Sequence, residues 1–152
     1  MNKVRDLRSA LELLENMPGQ LIETDVEVDP MAELSGVYRH VGAGGTVQRP
    51  TKEGPAMIFN NVKGHKDARV LIGLLASRKR VAALLSTEPE DLGKLLYRSV
   101  DNPIPPVLTD KTPLCQEVVH RATDEDFDLY KLVPAPTNTP DDAGPYITLG
   151  MC

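Results

Sequence analysis

The chain has 152 residues, 41% hydrophobic and 26% charged, a composition that suits one globular domain with its own core. A formal net charge of −5 argues against a nucleic-acid partner, which a basic face would serve. No apolar run approaches spanning length, the best being VLIGLLAS, and Glu12 and Glu15 interrupt the place where a signal peptide needs apolar residues, so no membrane partner and a cytoplasmic location are expected.

In chain order, DLRSALELLENMPG predicts a helix with Asp6 as N-cap and Leu7, Ala10, Leu11 and Leu14 on one face, ended by Pro18 and Gly19. QLIETDVEVDP predicts a short strand and a turn. Asp29 and Pro30 predict an N-cap and first turn for a helix over MAELSGVYRHVG. PAMIFNNVKG and ARVLIGLLA read as buried strands joined by KGHKD. Ser77 caps a helix over RKRVAALLS, and a further helix follows Thr87 in EPEDLGKLLYRSVD. NPIPPVLTDKTP carries four prolines in twelve residues and excludes regular structure. LCQEVVHRA then predicts a strand, DEDFDLYKLV a short acid-led helix, and YITLGMC the start of a terminal strand. Mixed strands and helices point to an α/β (α+β) class, with Leu11, Leu14, Ile58, Phe59, Leu71, Leu74, Val81 and Leu84 in the core.

Local motifs assign no chemistry. GAGGT (42–46) follows a predicted helix and lacks the Gly-Lys-Ser/Thr of a phosphate loop, so helix-end and loop glycines are the better reading. His40, His65 and His120 are scattered, and Glu117 and His120 fall on opposite faces of the predicted strand. The acidic run TDEDFD suits an exposed helix start, and SRKR a solvated face. Cys115 and Cys152 are too far apart in sequence for a metal knuckle and read as free thiols of a reducing compartment.

Three blocks in order, YRHVGAGGTVQRPT, GPAMIFNNVKG and PAPTNTPDDAGPYIT, resemble the N-terminal part of the UbiD family of decarboxylases. Within it they look most like the large subunits of reversible hydroxyarylate decarboxylases, which act on gallate, protocatechuate or 4-hydroxybenzoate. The resemblance implies an enzyme several-fold longer than this chain. An N-terminal α/β domain is followed by a split β-barrel holding prenylated FMN and a C-terminal oligomerisation domain. The flavin supplies the electron sink for loss of carbon dioxide, while manganese and potassium anchor its phosphate.

On that basis residues 1–133 are the α/β domain, and 134–152 are a connector with the first barrel strand. Thr148 is the one cofactor-binding residue that carries over; the family's catalytic arginine, its carboxylates and its metal ligands match nothing in these 152 residues. The expected function is an N-terminal fragment of such a decarboxylase, inactive alone. The expected partners are an aromatic hydroxy acid for the whole enzyme, and a homo-oligomer or complementing barrel fragment for the chain. A stand-alone interaction domain binding a full-length homologue is the alternative. The connector and strand are expected to be loosely held.

Overall fold

A computed structural model describes residues 4–43 and 53–147. Helix α1 (Leu7–Glu15) starts where the sequence places it. The Asp6 carboxylate accepts from the Ser9 amide at 2.8 Å, and the Ser9 hydroxyl accepts from the Asp6 amide at 3.1 Å. This reciprocal cap satisfies two of the amides that a helix start leaves unpaired.

Strands β1 (Leu21–Thr24), β2 (Ala56–Phe59) and β3 (Val70–Ile72) form one sheet in the order β1-β2-β3. β1 runs parallel to β2, with Leu21 opposite Ala56 and Thr24 opposite Phe59. β3 returns antiparallel, with Ile72 opposite Met57 and Val70 opposite Phe59. The crossover from β1 to β2 carries helix α2 (Glu33–Ala43). Helices α3 (Arg78–Leu84), α4 (Leu92–Asp101) and the single turn α5 (Leu129–Leu132) follow the sheet, giving the mixed α/β class expected from the sequence.

Every residue of β2 is buried, so both of its faces are covered. Met57 and Phe59 join Val28, Leu34 and Val62 in the main cluster, with Tyr38, Val41, Val70 and Ile72 packed against it. Burying a side chain of this size contributes about 1.5–3 kcal/mol. Of the expected core, Leu14, Ile58 and Phe59 are buried, whereas Leu11, Leu71, Leu74, Val81 and Leu84 are half-buried.

Several elements depart from expectation. The helix expected over DEDFDLYKLV is only the single turn Leu129–Leu132, and the helix expected after Thr87 opens with a 3-10 turn at Pro89–Asp91 before α4. α2 begins at Glu33, not Met31, because Asp29 spends its Oδ1 on the Met31 amide (2.8 Å) and Ala32 takes a left-handed φ of 64°. The expected long second strand stops after three residues, where Gly73 (φ 77°) turns the chain. LCQEVVHRA is not a strand: Leu114–Gln116 form a 3-10 turn and the rest is irregular. Its Val118 and Val119 are exposed, and β propensity without a face to pack on or a neighbouring strand to pair with does not hold a strand together.

Residues 134–147 also depart from expectation. They are seated on the domain, with Thr137 buried and hydrogen-bonded to the turn before α2. The terminal strand falls mostly outside the described residues; Tyr146 and Ile147 are irregular.

Candidate functional site

α3 opens with Ser77, whose hydroxyl accepts from the Arg80 amide at 3.1 Å, as the sequence predicts. The SRKR stretch is nevertheless not uniformly solvated. Arg78 and Lys79 are exposed, but Arg80 is 0% exposed. It lies four residues before Leu84, so the helical repeat carries it onto the inward face.

There its guanidinium is caged by oxygens from three separate stretches. Nε donates to Leu74 O at 2.9 Å and Nη2 to Gly73 O at 2.7 Å. Nη1 donates to both Gln20 Oε1 and Gly54 O at 3.1 Å. Burial pushes the guanidinium below its ordinary value, and these oxygens offset the cost without an ion pair to Arg80 among the described residues. The fork geometry of arginine makes such a cage feasible, since a lysine offers no planar array of donors. Gly73 is constrained twice over: its φ is left-handed, and a Cβ there would run into the Tyr38 ring.

The backbone gripped by Arg80 is also a wall of an open groove of about 540 Å³. Strand β3 and the turn after it supply one part of the lining, including Leu71 and Leu74. Val133–Pro136, Tyr146 and Ile147 supply another. The polar side chains there are Arg69, Asn138 and Tyr146 in an otherwise aliphatic surface, a composition suited to apolar contact with few orienting groups.

The residues singled out in the sequence are not gathered at this groove. His40 is in the last turn of α2, His65 pairs in a bridge with Val62, and Glu117 and His120 lie in the irregular stretch before α5. The acidic run lies ahead of α5, whose cap is Asp128. Among the described residues no three His, Cys, Asp or Glu side chains are grouped to hold a metal ion. Thr148 lies outside the described residues.

Residues 11–100 match the family model described as the 3-octaprenyl-4-hydroxybenzoate carboxy-lyase N-terminal domain. Residues 107–152 match that of the Rift-related domain of the same carboxy-lyase. The chain is 58% identical over 147 residues to a gallate decarboxylase of Lactiplantibacillus plantarum, covering 96% of this chain and 30% of the relative. The apo structure of a 3,4-dihydroxybenzoic acid decarboxylase from Enterobacter cloacae superposes with a TM-score of 0.83 at 56% identity, over 95% of this chain and 30% of that one. An evolved dimeric form of the UbiD-class enzyme HmfF from Pelotomaculum thermopropionicum, solved in complex with prFMN, gives 0.76 at 33% identity, over 93% and 30%. The chain thus spans about a third of the length of these relatives. With a family match over most of its length, a second match after it and the same fold in solved relatives, the chain belongs to the UbiD family of carboxy-lyases.

Proposed function

We propose that these residues are the N-terminal part of a prenylated-FMN-dependent, non-oxidative hydroxyarylate decarboxylase. The observation that carries this is the 58% identity to a gallate decarboxylase over almost the whole chain. The substrate of the whole enzyme is an aromatic hydroxy acid of the gallate and 3,4-dihydroxybenzoate class, and its location is cytoplasmic. The flavin is held with manganese and potassium by groups lying mainly in the length that the relatives have and these residues do not. Residues 134–152 act as connector and first barrel strand, and Thr148 is the residue of this stretch assigned to cofactor binding. The described part contributes the sheet, the Arg80 cage and the groove wall from which that barrel strand departs.

A chimera tests the reading. These residues replace the matching N-terminal stretch of the Lactiplantibacillus plantarum gallate decarboxylase, and the flavin spectrum and carbon dioxide release from gallate are measured. Flavin loading with turnover is expected, and the 152-residue chain alone is expected to show neither. A chimera that folds but neither loads flavin nor releases carbon dioxide from gallate refutes the reading of these residues as the N-terminal part. Turnover by the 152-residue chain alone refutes the division of labour.

A further inference from the structure

The stretch PAPTNTPDDAGPY has four prolines and reads as a linker, yet its contacts are those of a fixed element. Thr137 is buried and makes a two-way backbone exchange with the turn before α2. The Thr137 amide donates to Pro30 O at 3.0 Å, and the Ala32 amide donates to Thr137 O at 2.8 Å. Met31 and Thr137 thus pair as an isolated parallel bridge. One residue on, the Ser35 hydroxyl of α2 donates to Asn138 Oδ1 at 2.8 Å in a part-buried position.

The segment is also tied to itself. Asp142 Oδ2 accepts from the amides of Asn138 (3.1 Å) and Thr139 (2.9 Å), and the Tyr146 amide donates to Pro136 O at 2.9 Å. Pro134, Pro136, Pro140 and Pro145 have no amide to satisfy and a fixed φ, so ordering this stretch costs less entropy than ordering a flexible linker of the same length. At the other end of the exchange, Ala32 is held at φ 64°, a conformation that a residue with a Cβ adopts only when its surroundings enforce it.

The two sides of this contact belong to different family matches. Pro30, Ala32 and Ser35 lie within residues 11–100, whereas Thr137 and Asn138 lie within 107–152. We propose that residues 134–146 are a strap that pins the second matched region onto the start of α2, so that strap, helix and sheet open as one cooperative body. The strap then fixes where the chain departs from the groove, which Tyr146 and Ile147 line. This holds whatever reaction the whole enzyme performs.

Native-state hydrogen exchange of the full chain tests it, with two substitutions of opposite sign. The reporters are the Thr137 amide in the strap and the Ala56 and Asn60 amides in the sheet, which donate to Gln20 O (2.9 Å) and Thr24 O (3.0 Å). Asn138→Ala removes the acceptor for Ser35 and should speed exchange by roughly 2- to 12-fold. Ala32→Gly relieves the left-handed alanine and should slow exchange by roughly 2- to 5-fold. In each case the same factor is expected at all three reporters. A change confined to Thr137 overturns the proposal, because the strap then opens by itself. No change at any reporter overturns it equally, because the contacts then hold nothing.

Discussion

Replacing Arg80 by Met keeps an unbranched aliphatic stem and removes every side-chain donor of the cage. Leu74 O, Gly54 O and Gln20 Oε1 lose their donor, while Gly73 O keeps the Ala76 amide at 3.1 Å. An acceptor left dry costs about 1–3 kcal/mol, which sets an upper bound of about 3–9 kcal/mol for the three. The substitution also relieves the desolvation of a fully buried cation, which is worth several kcal/mol, and water entering from the groove side satisfies some carbonyls. The net expectation for Arg80→Met is a loss of about 3–5 kcal/mol, in the range seen when one member of a buried polar set is removed. For a chain of this size that lowers the melting temperature by about 6–20 °C, read by circular dichroism at 222 nm. Arg80→Lys should recover less than half of the loss, since one ammonium cannot reach oxygens contributed by three stretches of chain. A melting temperature for Arg80→Met within about 2 °C of the parent would show that the cage contributes nothing net, and the reasoning fails.

Gly73→Ala should cost about 2–5 kcal/mol by urea denaturation, from the left-handed φ together with the collision with Tyr38; a loss under about 1 kcal/mol would mean that the turn relaxes freely. Asp29 is held below the ordinary carboxylate range, first by the Lys63 ammonium at 2.8 Å and then by the Met31 amide, while Lys63 is raised by Asp29. A carboxylate whose folded value is depressed stabilises the fold above its unfolded value and loses that contribution as pH falls through the folded one. The lysine, with its folded value raised, contributes below its unfolded value and loses that as pH rises through the folded one, above about 10.5. The difference in urea midpoint between the parent and Asp29→Asn should therefore be present at pH 7 and shrink below pH 4; a gap that persists at pH 2 refutes the assignment.

Two helix starts were legible because their signals are local. Asp6 and Ser77 each cap a helix through an oxygen aimed at an amide three residues on, which needs no knowledge of the rest of the chain. β2 was legible because a run buried on both faces is apolar throughout. What failed depends on distant partners. VVH has strand propensity but finds no neighbour. Arg80 looks like its exposed neighbours Arg78 and Lys79, and only its place on the face of Leu84 hinted otherwise. The oxygens that hold it come from residues 20, 54, 73 and 74, and nothing at position 80 announces them. Thr137 is similar, since its buried exchange with Pro30 and Ala32 spans more than a hundred residues of sequence. The family was legible from three motif blocks, which the two family matches bear out.

The proline-rich stretch after α4 has a consequence for how it can be covered. Ile104, Val107 and Leu108 are 91%, 91% and 95% exposed, a degree of apolar exposure that ordinarily invites aggregation through added strands. Pro103, Pro105 and Pro106 interrupt that route, because each removes a ladder donor and fixes a backbone angle unsuited to a sheet interior. They act as gatekeepers: the side chains stay free to be buried while the backbone refuses to template a neighbour. A surface that buried these side chains would therefore meet a backbone that its prolines bar from strand addition, and would take the side chains in separate pockets.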